Sequence, residues 1–253
     1  MKINPKTRFS KTAQCYDQYR PSYPEQLIEW IINTTKTRPP SLVVDIGCGT
    51  GIASRLFAKR GFRVIGIDPN QEMLEQAIKK AGGPKYQKGY SDNTNLPEAS
   101  ANLCISAQAF HWFDIEKTNQ EIKRILKPGG FCCAFWNVRI RTPFVKGYES
   151  LLKVYSSDYE KTPKAKDTVE AIKRSSSVRS FKEKQFDNTQ SFNKDDLIGR
   201  AYSTSYVAHG VKEHDKFRQA LRDLFDKYQS QGKVSFTYKT LAICWQLKLK
   251  GEK

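Results

Sequence analysis

The amino-acid sequence predicts an α/β fold built on a mostly parallel sheet, and three observations carry that reading. Between residues 24 and 137, short apolar runs alternate with amphipathic stretches of helical period. The apolar runs are bounded by turn residues, as buried strands are. The chain has 253 residues, enough for one large α/β domain that buries roughly 70–75 % of its unfolded surface. Alternation of this kind implies right-handed crossovers between parallel strands.

Taken in order, the strands are LVVDIG, FRVIGID, PKYQKG, NLCISAQ and GFCCAFWN. The helices between them are PEQLIEWIINTTK, IASRLFAKR, NQEMLEQAIKKA and DIEKTNQEIKRILK. Pro24 and Asp114 are start signals, and Gly61, Gly82 and Gly129 are stops. After Asn137 the rhythm changes. Residues 138–175 are mostly helical and basic, with Phe144, Tyr148, Leu151, Leu152 and Tyr155 on one apolar face. VRSFKEKQFDNTQSF alternates like a strand, two helical stretches follow near 194–206 and 213–230, and VSFTYKTLAICWQLK is a long final strand expected beside the previous one. The predicted organisation is a single domain over 1–253. It has an N-terminal lid (1–23), a ligand-binding core (24–137), helical insertions with one strand over one sheet end (138–233) and a terminal strand (234–248).

Composition excludes several classes. Hydrophobic residues are 38 %, aromatics 12 % and charged residues 27 %, too apolar for a disordered chain and too polar for a membrane protein. The first residues lack an apolar signal region, and no stretch approaches the roughly 20 apolar residues of a spanning helix. The six cysteines, at 15, 48, 104, 132, 133 and 244, have no metal-ligand spacing. They read as reduced thiols of a cytoplasmic protein, with no disulfide framework and no metal site. The net charge of +17 either solubilises the surface, through residues such as Lys79, Lys80, Lys123, Lys127, Lys212 and Lys216, or attracts an anionic partner.

The chemistry concentrates at Asp45-Ile46-Gly47-Cys48-Gly49-Thr50-Gly51, between the first strand and a helix. Glycines here let the backbone turn tightly and approach a ligand. A dinucleotide fingerprint fails because Ile52 occupies its sixth position. The pattern suits a nucleoside ligand without a pyrophosphate. Asp68 closes the second strand, 17 residues after Gly51, where a carboxylate accepts hydrogen bonds from a ribose diol. The plainer alternatives are a simple turn and a helix cap for NQEMLEQA.

These residues resemble the class I S-adenosylmethionine-dependent methyltransferases. VVDIGCGTG is similar to their first motif, IGID to the second, LPEASANLCISAQAFHWFD to the fourth-strand region and RILKPGG to the turn into the fifth strand. Phe9 through Pro24 and AFHWFD resemble the small-molecule branch that includes relatives of trans-aconitate methyltransferase. The resemblance implies a Rossmann-like, seven-stranded, mostly parallel sheet with helices on both faces and a helical cap. It implies S-adenosylmethionine as cofactor. Gly47, Gly49 and Gly51 would lie under its methionine part and ribose, Asp45 near its amino group and Asp68 on the ribose hydroxyls. Met73 would pack against the adenine, Ser91 and Asp92 would meet the adenine edge, and Ala107 and Gln108 would lie beside the methionine moiety. Two positions depart from the family pattern: Asn102 replaces the usual fourth-strand Asp, and Tyr90 is bulkier than usual.

Methyl transfer asks mainly for positioning. His111 is the candidate base for a phenol, alcohol or amine acceptor, or else it packs with Trp112 and Phe113 behind the fourth strand. Tyr16, Tyr19, Arg20 and Tyr23 are candidate lid residues, and Arg20 could meet a carboxylate. Arg139 and Arg141 follow the fifth strand, where α/β folds bind substrates. The expected activity is O-methylation of an acidic or polar small molecule by a monomer or weak dimer, with no specific nucleic acid and no membrane as partner. An RNA-directed methyltransferase and a catalytically silent cofactor-binding scaffold are the alternatives.

Overall fold

A computed structural model of the chain describes residues 13–80, 82–161 and 164–248. Seven strands form one sheet: β1 (Leu42–Ile46), β2 (Arg63–Asp68), β3 (Lys85–Lys88), β4 (Ala101–Ala107), β5 (Leu126–Arg139), β6 (Val178–Phe192) and β7 (Val234–Leu247), in the order β3-β2-β1-β4-β5-β7-β6. The pairs β1–β2, β1–β4, β2–β3 and β4–β5 are parallel. The ends of β1 to β4 therefore open on one edge of the sheet, and the loops that follow them share it. As expected, the last strand lies beside the one before it.

Ten helices accompany the strands among the described residues: α1 (Ala13–Tyr19), α2 (Glu25–Thr35), α3 (Ile52–Lys59), α4 (Gln71–Lys79), α5 (Ile115–Ile125), α6 (Pro143–Tyr155), α7 (Ala165–Arg174), α8 (Lys194–Tyr202), α9 (Ser205–Gly210) and α10 (His214–Tyr228). Asp114 caps α5 through the amide of Lys117, the start expected for that helix. Its end differs from expectation. The helix stops at Ile125, because Leu126 is already extended and begins β5, so the strand absorbs the K-P-G-G turn. The helix expected over 194–206 is broken at Ser203 and Thr204, whose hydroxyls bond back to Arg200 and Ala201 carbonyls.

The chain divides into two compact units. The first contains Ser22–Trp136 with the described parts of Pro163–Phe186 and Thr240–Lys253. Strand alternation splits its core between the two sheet faces. Val44, Ile46, Cys104, Phe110, Ile122, Cys132, Trp136 and Trp245 pack on one face, and Val43, Phe57, Leu103, Ile105, Cys133 and Phe135 on the other. The second unit contains the described part of Met1–Pro21, with Asn137–Thr162 as far as it is described and Asp187–Lys239. Here α10 packs on α6 and α8, around Tyr148, Leu152, Leu197, Phe217, Leu221 and Phe236. Residues 1–12 of the expected lid, Phe9 among them, lie outside the described residues.

One expectation about cysteine is corrected. Cys133 and Cys244 form a disulfide, while Cys48, Cys104 and Cys132 are free and buried. The pair is 111 residues apart in sequence, and only the docking of β7 beside β5 brings its side chains together.

Candidate active site

Five residues between β1 and α3 build the floor of the site. Gly47, Gly49 and Gly51 have φ of 72°, 53° and 79°, the left-handed region that glycine enters without strain. The amides of Gly47 and Cys48 both donate to the Ile67 carbonyl, at 2.8 and 3.0 Å, tying the turn to β2. A Cβ at Gly47 would meet Ala109 and Phe113, and one at Gly51 would strike the Tyr86 ring. At Gly49 it would meet nothing within 4 Å. Gly49 is therefore the point where the loop backbone is open to a ligand. Gly51 is the N-cap of α3 and, lacking a side chain, places no cap on the amides of Ile52 and Ala53.

Asp68 ends β2 and faces this turn. Its Oδ2 accepts from the Gly49 amide at 2.8 Å and its Oδ1 from the Asn70 amide at 2.9 Å. The helix-cap alternative goes to Asn70 instead, whose Oδ1 accepts from the Met73 amide at 2.9 Å. That cap fixes the start of α4 and holds Met73 in the wall, 3 % exposed. Burial pushes the Asp68 carboxyl up to about 6, against the lowering effect of the two amides.

Asp45 is fully buried, and its Oδ2 accepts from the Ser54 hydroxyl at 2.6 Å. Its Oδ1 has no hydrogen-bond partner. Burial raises its pKa to about 7; the Ser54 bond opposes this and the charge of Asp68 adds to it. Among the described residues neither carboxylate has a cationic partner. The site is thus built to accept donors and positive charge.

The loop after β3 begins with a tight turn in which Tyr90 and Asn93 exchange backbone hydrogen bonds of 2.9 and 3.2 Å. Ser91 is half-buried and Asp92 exposed at its tip. Thr94, three residues past Ser91, is held by Glu121 of α5 through its amide at 2.8 Å and its hydroxyl at 2.5 Å. Arg124 clamps the same carboxylate and also donates to the Leu96 carbonyl at 2.8 Å. At the end of β4, Ala107 is partly buried, and Gln108 takes φ 57° while its amide bonds the Phe135 carbonyl at 2.9 Å. A non-glycine residue held left-handed beside the glycine turn is a strained position. Asn102, at the opposite end of β4, accepts from the Leu42 amide at 3.1 Å and so secures the start of β1.

His111 and Trp112 sit in a single 3-10 turn, Phe110–Trp112, anchored by the fully buried Phe110. The Trp136 indole donates to His111 Nδ1 at 3.0 Å. Indole is a donor only, so Nδ1 is unprotonated and the ring proton lies on Nε2. Burial lowers the imidazole pKa to about 4. The ring is neutral, with Nδ1 taken up by Trp136 and the Nε2 proton left to donate. The structure gives His111 a hydrogen-bond donor and no free lone pair, which favours the packing alternative over the base.

The lid and arginine candidates separate. In the second unit, Arg20 stacks its guanidinium 4.3 Å from the Tyr16 ring centroid and donates to the Ser203 carbonyl at 3.3 Å. Tyr19 packs its ring on Gly199. Arg139 donates to the Tyr206 hydroxyl at 2.9 Å. Arg141 does not join them: it is exposed and paired with Glu149 at 3.1 Å. Tyr23 belongs to the first unit and packs edge-on against Phe135 at 4.8 Å. Sequence reasoning missed Tyr86, which lies against Gly51 and Gly66, and Arg200, 4 % exposed on α8. The signal for Arg200 was present: a cation on the helical stripe of Leu197, Ile198 and Ala201.

The family model for the methyltransferase domain matches residues 44–134, the stretch from β1 through the glycine turn, Asp68 and β4 into β5. Residues 44–134 thus match a methyltransferase domain, and the relatives and solved structures that share it support a class I S-adenosylmethionine-dependent methyltransferase. An uncharacterised methyltransferase of Mycobacterium tuberculosis is 33 % identical over 133 residues, 52 % of each chain. The malonyl-[acyl-carrier protein] O-methyltransferase of Serratia marcescens is 30 % identical over 123 residues, 48 % of each chain. The chain spans about half the length of the curated relatives it matches. The fold is shared with a protein assigned as a type II methyltransferase of Anaeromyxobacter dehalogenans (TM-score 0.63, 24 % identity, covering 90 % of this chain and 97 % of that one). It is also shared with phosphoethanolamine N-methyltransferase 2 of Haemonchus contortus, solved with S-adenosyl-L-methionine (TM-score 0.57, 15 % identity, covering 97 % of this chain and 61 % of that one).

The methyltransferase cofactor fits the residues present. Its ammonium and sulfonium groups supply the positive charge that the two buried carboxylates lack, and Asp45 Oδ1 is an orphaned acceptor for a donor. The open side of Gly49 leaves room for close backbone approach.

Proposed function

We propose that the protein methylates a small-molecule acceptor, by O-methylation of an acidic or polar group. The observation that carries the reading is the pair of buried carboxylates, Asp45 and Asp68, facing a glycine turn whose open point is Gly49. When bound, the cofactor supplies an activated methyl group on a sulfonium. The chain's task is to bind, orient and keep water out. Asp68 accepts from the ribose hydroxyls with the outer lone pairs of oxygens already fixed by Gly49 and Asn70 amides. Asp45 accepts from the amino group, and the α3 amides receive the carboxylate. Met73, Ser91 and Asp92 border the adenine, and Ala107 and Gln108 the methionine side.

His111 directs a donor N–H at the acceptor or at the pocket wall and removes no proton. An acceptor that is already ionised, such as a carboxylate, needs no base. The Serratia relative, by its name an O-methyltransferase of a malonyl group, supports the O-directed reading. Incubating the protein with isotopically labelled S-adenosylmethionine and a metabolite extract should produce a new methylated small molecule. Label appearing in RNA alone would replace this reading with the nucleic-acid one, and no transfer alongside tight cofactor binding would favour a scaffold.

A further inference from the structure

The second unit buries three guanidinium groups that no carboxylate balances. Arg20, Arg139 and Arg200 form no ion pair among the described residues, and their recorded hydrogen bonds go only to the Ser203 carbonyl and the Tyr206 hydroxyl. Arg20 Nε, Arg139 Nη1 and both Nε and Nη1 of Arg200 are buried without a partner. So are the hydroxyls of Tyr148 and Tyr238, each 1 % exposed.

These groups converge. The guanidinium carbons of Arg139 and Arg200 lie 5.4 and 5.9 Å from the centroid of one ring, Phe236, and Arg139 lies 5.3 Å from that of Tyr148. Burial raises the Tyr206 phenol, but Arg139, Arg200 and Arg20 together pull it below its ordinary value, so all three charges act on one atom. Arg20 in turn is lowered by burial and by the charge of Arg200. Buried charges persist where they are paired, and these guanidinium groups call for a partner from outside the chain.

We propose that Arg20, Arg139 and Arg200, with the hydroxyls of Tyr148 and Tyr238, form a binding site for a small oxyanion of two or three charges, either a polycarboxylate or a phosphate. The free groups are all donors, and guanidinium forks match carboxylate and phosphate oxygens in pairs. A neutral ligand would leave the charges unbalanced. Identifying this anion as the methyl acceptor rests on the methyl-transfer reading; binding of the anion does not.

The test is calorimetry and thermal shift on the full chain with succinate, citrate and inorganic phosphate, against sodium chloride at matched ionic strength. The same titrations are run on Arg139→Met, Arg200→Met, Tyr148→Phe and the distant control Lys79→Ala. At least one anion should bind the parent, and the carboxylate and phosphate arms identify which chemistry the site prefers. Arg139→Met and Arg200→Met should each weaken that binding at least tenfold, Tyr148→Phe a few-fold, and Lys79→Ala not at all. Affinity for S-adenosylhomocysteine should be kept in Arg200→Met. If the methionine variants fail to fold, Arg200→Lys, which keeps the charge and loses the fork, should still lose most of the anion affinity. The proposal is overturned if no anion binds the parent, if Arg200→Met binds it as well as the parent, or if Arg200→Met loses cofactor in proportion, which would give the cluster to the cofactor carboxylate. S-adenosylhomocysteine binding without anion binding sinks this proposal alone. Anion binding without S-adenosylhomocysteine binding supports it and sinks the methyl-transfer reading.

Discussion

The Trp136 indole N–H points at Nδ1 of His111 from 3.0 Å, and that bond decides what the histidine can do. With Nδ1 accepting and Nε2 protonated, the ring offers one donor to its surroundings.

His111→Gln, which keeps a donor, should therefore retain more methyl-transfer activity than His111→Phe. The profile of kcat against pH should show no histidine ionisation between about 6 and 7, because burial holds the group near 4. An NMR titration finding His111 ionising at an ordinary value near 6.5 would contradict this assignment.

Asp68→Ala should weaken S-adenosylhomocysteine binding by roughly 10- to 100-fold, since hydrogen bonds to a charged group contribute about 1.5–3 kcal/mol each. Asn102→Ala should leave affinity unchanged and reduce stability by about 1 kcal/mol, the contribution of the one bond from the Leu42 amide to the Asn102 side chain at the start of β1. Titration calorimetry and urea unfolding of the two variants separate the effects.

Cofactor affinity should rise with pH. Asp68 near 6 and Asp45 near 7 must be ionised to accept, so binding of S-adenosylhomocysteine strengthens from pH 5 to 8. The ligand-free protein behaves oppositely. Both folded values lie above the unfolded one near 3.9, so the stability these groups contribute is full below that value and is lost as pH rises through 6 and 7. Asp45→Asn should flatten both trends in thermal scans.

Gly49→Ala and Gly51→Ala both force a side chain into left-handed backbone, at about 1–2 kcal/mol each. Gly51→Ala also displaces the Tyr86 ring and should lose more stability. Gly49→Ala, which meets nothing in the protein, should instead lose cofactor affinity out of proportion to its stability.

Glu121→Gln should loosen the loop that carries Ser91 and Asp92. Burial raises the Glu121 pKa, but its bonds from Arg124 and Thr94 outweigh this and lower it overall. Its stabilising effect is present above the ordinary glutamate value near 4.3 and fades as pH falls through the lowered folded value. The melting difference between variant and parent should be full at pH 7 and shrink in acid.

The glycine turn, Asp68 and the strand–helix alternation were legible because local sequence dictates them: an apolar run, a turn that only glycine permits, and an acid at the next strand end. Whether Asp68 served the ligand or capped α4 was open, since aspartate caps helices, and the bond from the Met73 amide to Asn70 gives the cap to Asn70. Arg139 and Arg141 were named together from the end of the fifth strand, but only Arg139 closes β5, and Arg141, two residues on, pairs with Glu149 instead. The Cys133–Cys244 bond depends on contact between segments far apart in sequence, which no local pattern encodes. The Trp136–His111 bond was hidden for the same reason, and it is what separates the two roles open to the histidine.

The uncompensated carboxylates of Asp45 and Asp68 bear on the protein's lifetime in a cell. Burying them with no cation leaves the ligand-free form closer to its unfolding threshold, and a bound cofactor adds stability by mass action, about 2.7 kcal/mol at 100 times its dissociation constant. Proteases act on the transiently opened fraction, so the half-life of the polypeptide should lengthen when S-adenosylmethionine is plentiful and shorten when the pool is depleted. Abundance would then follow methyl-donor supply without any change in synthesis.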